Sequence, residues 1–495
     1  MLQFPLAIFK NFVIFSMNAG SLERTVRMAT NRFHPGFSPL SVLVCVFAMI
    51  RPLASQDAEW YCTSGSEKFA HRAAPEWQPF DGTGHRVITL DTGAVFQTMD
   101  GFGGCFNEKG WDALSYLAPE ERRKTLADLF DPEGRCRFTL CRMPVGASDY
   151  ALDWYSLDDL AEDRSMKSFS LDRDRKYLIP YIQSALLLRP DLKIWGSPWC
   201  PPAWMKVNRH YACQGMEEAS RLRWEPAVLS AYALYLSKYV QSYRKEGIPV
   251  FAVHVQNEPY ACQIFPSCLW TGEMLRDFIR DYLVPRFDRD GVNAEIWLGT
   301  LNHGDVRVYA DVVFGDPVCR SRVAGVGYQW DGKWAVEETH RKYPEKRIWQ
   351  TESECGDGSN DMRAALYTFS LMKRYFEGGA SAYLYWNMIL DETGGSTWGW
   401  KQNSLISVNR YTRTVKYNDE YFLMAHLSHF VQPGAARIGT TGYDDDAFAF
   451  RNPDGSIVLL AANPSFTTRE LTIRLGGRMI RRSLPDGSIS TFIIR

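Results

Sequence analysis

The sequence has no surplus of charge of either sign: 56 basic against 57 acidic side chains in 495 residues leave a net charge of −1. Without a positive field to grip a polyanion, no nucleic acid partner is expected. Metal-site patterns are missing as well. The nine histidines contain no HExxH array and none of the 11 cysteines stands in CxxC spacing, so no metal and no cofactor is expected. His426 and His429, three apart on an expected helix, read as a surface pair. Gly101-Phe102-Gly103-Gly104 has neither the spacing nor the lysine of a phosphate loop and is expected to turn the backbone sharply beneath a site. Asp444-Asp445-Asp446 reads as a solvated turn.

Long apolar runs are scarce. Leu2–Met17 is interrupted by Pro5, Lys10 and Asn11, and the cleaner run Pro39–Ile50 has 12 residues, short of the roughly 20 that span a bilayer. Arg27 and Arg32 precede that run and Pro52-Leu53-Ala54-Ser55 follow it, the pattern of a secretory signal cleaved near Ser55, with Met28 as an alternative start and an uncleaved anchor as the other reading. Residues 1–55 are therefore set aside as signal peptide or extension. The mature chain is expected to carry no integral membrane span and to be secreted, extracellular or, in a bacterium, periplasmic or on the cell surface. Ten cysteines remain once Cys45 is removed, and Cys200/Cys213 and Cys262/Cys268 are the expected loop disulfides. What the sequence has in excess is rings: 28 Phe, 24 Tyr and 16 Trp, 14% of the chain. Rings fill cores, and they also stack on the flat faces of sugars.

From Gln97 onward, short apolar segments alternate with helical patterns. The segments are Gln97–Gly104, Phe138–Val145, Leu192–Ser197, Phe251–Glu258, Ala294–Leu301, Val323–Trp330, Ile348–Cys355 and Ser381–Ile389, with helices such as Pro119–Phe130, Pro226–Glu246 and Met274–Phe287 between them. Eight strand–helix units over about 300 residues fit a closed parallel (β/α)8 barrel. After Gly434 the helices stop and short strands follow one another, and His85–Leu90 is expected to join them. The expected fold is α/β, a TIM barrel over 97–425 with an attached all-β sandwich. The sandwich is made from 426–495 and from lead-in strands within 56–96.

In such a barrel the catalytic groups stand at the C-terminal ends of the strands. The second strand ends at Arg142 with Ser148-Asp149 beyond; the third runs into Pro198-Trp199-Cys200-Pro201-Pro202-Ala203-Trp204. The fourth ends Gln256-Asn257-Glu258-Pro259, the sixth Tyr328-Gln329-Trp330, the seventh Gln350-Thr351-Glu352-Ser353-Glu354. The eighth ends Tyr385-Trp386-Asn387, before Gly394-Gly395-Ser396-Thr397-Trp398. Glu258 and Glu352 lie 94 residues apart, three βα units, which sets them facing one another across the barrel mouth. Cleavage of a glycosidic bond needs such a pair: one carboxyl protonates the leaving oxygen, and the other attacks the anomeric carbon or activates water. A separation of about 5–5.5 Å specifies the retaining route. Glu354 would share a strand face with Glu352 and is its rival. Each piece also has a structural reading: Asn-Glu-Pro as a turn, Arg142 as an ion-pair partner, the proline-rich loop as a plug. Their joint occurrence in barrel order carries the inference.

The segments DGFGGCFNEKGWDAL, CRMPVGASDY, SPWCPPAWMK, HVQNEPYACQIFPSCLWTGEMLRDFI and QTESECGDG resemble glycoside hydrolase family 30, the glucosylceramidase and endo-β-1,6-glucanase family, in which a β-sandwich flanks a (β/α)8 barrel. The resemblance runs from about Gln97 to Trp400. It implies that Glu258 is the general acid/base, with Asn257 holding the substrate's 2-hydroxyl. It implies Glu352 as nucleophile, favoured over Glu354 because the family's nucleophile follows Ser or Thr, as it follows Thr351 here. Asp149 and Trp199 resemble the family's glucose-holding pair. Arg142 would keep the nucleophile ionised, Tyr328 would hydrogen-bond it, Trp386 would line the far side of the sugar, and Trp398 is counted with the substrate-binding set. The acid should then titrate high, toward about 6, and the nucleophile low beside Arg142. The implied activity is a secreted retaining β-glycosidase, with β-1,6-glucan the expected substrate because QTESECGDG and FPSCLWTGE look closer to the microbial glucanases. Glucosylceramide is the alternative substrate, and a non-catalytic carbohydrate-binding protein the alternative of another class. A lipid-facing enzyme should expose an apolar patch beside the mouth; a glucanase should present a groove with a second sugar platform.

Overall fold

The computed structural model describes residues 57–495 except 74, 85, 216 and 443–445. The apolar runs Leu2–Met17 and Pro39–Ile50, His85, and Asp444 and Asp445 of the acidic run lie outside the described residues. Among the described residues no helix is long and apolar enough to cross a membrane, and no group of three or more His, Cys, Asp or Glu is arranged to hold a metal.

Eight parallel staves form the barrel: Gly101–Cys105, Leu140–Pro144, Lys193–Ser197, Val250–His254, Glu295–Trp297 continued by Thr300–Leu301, Gly325–Gln329, Arg347–Glu352 and Ala382–Asn387. The two pieces of the fifth stave stand at opposite ends of the hydrogen-bonded order, so the sheet closes on itself. A bridge from Ile296 to Val323 spans the seam. Staves buried on both faces are drawn largely from apolar residues, and the polar exceptions here, among them Arg142, His254, Gln329, Gln350 and Glu352, are themselves buried. The interior is filled by Trp195, Trp297 and Trp349 with Leu140, Ala252, Ala382 and Leu384. His254 is sandwiched between Trp195 and Trp297, with ring centroids 4.0 and 4.7 Å away. A small part of the aromatic excess is thus barrel filling.

The glycine-rich segment is the first stave itself and makes no sharp turn. Its glycines serve close approach: a Cβ on Gly103 would sit 1.8 Å from the carbonyl oxygen of Leu140 on the next stave. Gln97 and Thr98 belong to a different strand, Val87–Thr98, which pairs with Ala436–Gly442 in the sandwich. Around the barrel, the helices Pro119–Phe130 and Pro226–Lys245 begin with proline, which pre-sets the helical φ where no N–H partner is lost.

The sandwich is a ten-stranded sheet, four strands coming from before the barrel and six from the tail. Ala58–Thr63 lies antiparallel to the last strand, Ser488–Ile494, with Trp60 opposite Phe492. The strand Ala447–Arg451 shows how the two parts join. Its alternation sends Ala447 and Ala449 into the sandwich core and Phe448 and Phe450 into the barrel's cluster. There Phe448 meets Phe369 and Phe376 at 5.0 and 5.6 Å. His426 is not at the surface as expected: it is buried in this seam, its ring nitrogens 2.9 Å from the hydroxyls of Thr491 and Thr63. Burial drives its pKa down to about 3. His429 is half-buried, with Nδ1 2.9 Å from the Arg135 carbonyl.

Candidate active site

The stave ends bring one buried arginine against two buried glutamates. Arg142 has no exposed surface, so its donors must all be used within the protein. Nε donates to Ser197 Oγ (3.0 Å). Nη1 donates to Glu352 Oε2 (2.9 Å), Gln329 Oε1 (3.2 Å) and the Thr351 carbonyl (3.2 Å). Nη2 donates to Asn257 Oδ1 (2.5 Å). Its guanidinium also lies over the Trp199 ring, 4.3 Å from the centroid. Arg142 is therefore both the ion-pair partner and the group that organises the fourth, sixth and seventh stave ends.

Gln329 was not singled out by any sequence pattern, yet it joins the two acids. Its Nε2 lies 3.2 Å from Glu258 Oε1 and 3.0 Å from Glu352 Oε2. Those two oxygens are therefore no more than about 6.2 Å apart. Its Oε1 accepts from Arg142 and from Thr351 Oγ1. Strand alternation explains the choice. Gln329 points into the barrel mouth, so Tyr328 must point out. The expected bond from Tyr328 to the nucleophile is absent; its hydroxyl pairs instead with Thr339 Oγ1 at 2.6 Å, in the helical layer. Trp330, next in sequence, supplies the missing donor: its Nε1 is 3.0 Å from Glu352 Oε1. Trp330 and Glu258 both hold left-handed backbone, at φ 50° and 44°. Such strain in non-glycine residues persists only where the surroundings fix it.

The remaining expected residues fall into three groups. Asp149 and Trp199 line the same cavity as Glu258 and Glu352, a space of about 520 Å³. Asn257 is buried, and its Oδ1 accepts from Arg142, Thr300 and Gln329, which leaves Nδ2 without a partner among the described residues. Trp386 does not line the cavity. It is wholly buried behind Trp199, with ring centroids 5.0 Å apart, and its Nε1 donates to Asp149 Oδ2 at 3.1 Å. Trp398 packs against Trp154, centroids 4.9 Å apart, and is also off the cavity wall. Trp400 lines it instead, tilted against Phe265 at 5.0 Å. Glu354 does not share the face of Glu352: the strand ends at Glu352 and Glu354 is bonded elsewhere, to Lys333 Nζ at 2.7 Å and Tyr367 Oη at 2.6 Å.

The loop carrying Phe265 is tied down covalently. The disulfide joins Cys213 to Cys262, whose Cα atoms are 5.2 Å apart, and neither expected pair forms. Cys200 and Cys268 keep buried thiols. The buried Lys206 adds Nζ bonds to the carbonyls of Tyr211 (3.1 Å) and Ser267 (2.7 Å).

Electrostatics divide the two glutamates. Burial and the neighbouring Glu352 charge push Glu258 up to about 8, higher than the expected 6. Burial also lifts Glu352 above the ordinary glutamate value, so the expected net depression is not met, although Arg142, Trp330 and Gln329 all pull it down. Three donors serve Glu352 and one serves Glu258, so the charge settles on Glu352 and the proton on Glu258. Asp149, buried and facing both acids, is held well above the carboxylate range. Such an arrangement provides a proton donor and a carboxylate nucleophile around a space of sugar size.

Known proteins carry the same architecture. The glycosyl hydrolase family 30 TIM-barrel domain matches residues 99–431, and the family's β-sandwich domain matches 434–492. The lysosomal acid glucosylceramidase of Mus musculus is 27% identical over 84% of each chain. The endo-1,6-β-D-glucanase neg1 of Aspergillus fumigatus is 26% identical, covering 88% of this chain and 94% of that one. The solved structure of the endo-β1,6-glucanase BT3312 superimposes with a TM-score of 0.75 at 25% identity, over 88% of this chain and 99% of that chain. With a closed barrel, a sandwich built from both ends of the described chain and two bridged glutamates at the fourth and seventh staves, the protein belongs to glycosyl hydrolase family 30 and is a glycoside hydrolase.

Proposed function

We propose that the protein cleaves β-glucosidic bonds with retention, in β-1,6-glucan, through a covalent glycosyl-enzyme. The observation that carries this reading is the single amide of Gln329 within hydrogen-bond reach of both carboxyls. It holds Glu258 Oε1 and Glu352 Oε2 within about 6.2 Å of each other, which supports the close pair of a retaining enzyme (~5–5.5 Å) over the ~6.5–9.5 Å that inverting enzymes use to admit a water between the acids. Glu258 gives its proton to the glycosidic oxygen as the C1–O bond breaks, and Glu352 forms a bond to C1. Esterification removes the Glu352 charge, and with it part of what keeps Glu258 protonated. Glu258, now a carboxylate, takes a proton from water as that water attacks C1, and Glu352 leaves with its charge restored.

The polymer reading is supported by the cavity walls. Trp400 and Phe265 offer a second ring platform, and Gln263, Asn302, Asp357 and Lys401 give hydrogen-bonding groups for sugar hydroxyls. Glucosylceramide is the second reading, favoured by Tyr260 and Ile264, 59% and 65% exposed on the loop that follows Glu258. Because both acids are present and bridged, a purely sugar-binding role is disfavoured. The same reading has the protein exported, which the Cys213–Cys262 bridge and the apolar run Pro39–Ile50 support.

The test is hydrolysis of β-1,6-glucan and of glucosylceramide by purified protein, with the anomer of the first product followed by NMR. A β product from the glucan is expected; an α product rejects the retaining mechanism, and turnover of the lipid alone selects the second reading. Glu352→Gln should lower turnover by about a thousandfold or more, since the covalent route is lost.

A further inference from the structure

A second concave surface adjoins the catalytic cavity. Its volume is about 540 Å³, and its walls include Trp330, Glu354, Asp357, Ser359, Arg363 and Tyr367. Trp330, Gly356 and Asp357 line both spaces, so the two share a ridge. The same indole that donates to the nucleophile on one side therefore borders the second space on the other.

The ridge is built and held. Asn403 Oδ1 accepts from the backbone N–H of Gly358 (2.8 Å) and of Asn360 (3.2 Å). The Asn403 side chain is itself fixed by Nδ2 donating to the buried Glu420 at 3.0 Å. Asn360 Oδ1 accepts in turn from Ser404 N and Asn418 Nδ2. Gly356 and Gly358 take the left-handed backbone, φ 60° and 88°, that the tight ridge requires. Asp357 is thus presented between the two spaces by a rigid support. On the far wall, Glu354 is oriented by Lys333 and by Tyr367, whose ring is 47% exposed.

The lining offers what a sugar unit needs. Two rings, Trp330 and Tyr367, can stack on a pyranose face, and Asp357, Ser359 and Arg363 can bond its hydroxyls. An alkyl chain would gain little against walls carrying two carboxylates and a guanidinium.

The geometry points to a second sugar-binding compartment. The space bounded by Glu354, Asp357, Arg363 and Tyr367 holds a further glucose unit of the same chain whose scissile residue sits at Glu258 and Glu352. This rests on the β-1,6-glucan reading and deepens it. The test compares wild type, Tyr367→Ala and Arg363→Ala on 4-nitrophenyl β-glucoside and on β-1,6-linked gluco-oligosaccharides of two to six units, with thermal melting as a check on folding. In the wild type kcat/KM should rise with chain length. Each variant should lose about tenfold on the longest oligosaccharide, the scale of one lost ring or charged contact, and keep its rate on the aryl glucoside. Wild-type kcat/KM that does not rise with length, variants with wild-type length dependence, or an equal loss on aryl glucoside and oligosaccharide each overturn the compartment while the glucan reading stands. A wild-type protein that cleaves the aryl glucoside and no β-1,6-linked oligosaccharide overturns the glucan reading, and the compartment with it.

Discussion

Glu258 and Glu352 face the same cavity, and in the proposed mechanism their unequal hydrogen bonding separates the acid from the nucleophile. Two limbs of a pH profile follow. If Glu258 is the acid of the first step, as proposed, it must be protonated, so kcat/KM should fall as pH rises through about 8. Glu352 must be ionised, so the acid limb should lie above the ordinary glutamate value, on the side to which burial moves it. The two limbs belong to the pair and not to either residue alone. Gln329 supplies a sharper check. Its amide lowers both carboxyls, so Gln329→Leu should move both limbs to higher pH. It should also reduce kcat/KM by about tenfold to a hundredfold, since a donor to both charged groups is lost. Unmoved limbs would show that the bridge has no influence on the chemistry. No sequence motif marks this glutamine. The only signal is alternation: once Tyr328 is assigned outward, its neighbour must point into the mouth.

Elements decide which residues reach the site. Where a stave is regular, spacing along it is reliable: Arg142 within the second stave and Glu352 at the end of the seventh both reach the mouth, and Glu258 joins them from four residues past His254. Beyond the last paired residue the period disappears. Glu354 leaves the face of Glu352 because the strand stops between them, and Trp398 and Trp400 exchange roles in a loop that has no period to read. Disulfide pairing is equally invisible to spacing, because Cys213 and Cys262 are 49 residues apart and meet through the docking of two loops. Closing a loop of that length restricts the unfolded chain, so Cys213→Ser should lower stability by about 2–4 kcal/mol. Denaturant unfolding would measure this. With β-1,6-glucan as the proposed substrate, the same variant should also raise KM for it, because the freed loop carries Phe265, and an unchanged KM would separate that loop from substrate binding.

At the scale of the whole molecule, barrel and sandwich share a buried core. Phe448, Phe450, Val458, Leu460 and Ile489 of the sandwich belong to the same buried cluster as the barrel helices, and His426 is buried between Thr63 and Thr491. Calorimetry should therefore show a single unfolding transition. Phe448→Ala, which empties a site between Phe369 and Phe376, should cost about 3–5 kcal/mol and shift that transition as a whole. Two resolved transitions would mean that the domains unfold independently.

The sequence by itself determined the alternation of strands and helices, the number of staves, the all-β tail and the two acids at the fourth and seventh stave ends. All of these are periodic or positional, and a one-dimensional pattern carries them. Tertiary structure alone decided what binds those acids and how far apart they sit. Gln329, Trp330 and Arg142 meet them only when the second, fourth, sixth and seventh staves close into a ring. Burial, which belongs to the folded whole, then outweighs the nearest positive charge in setting where Glu352 titrates.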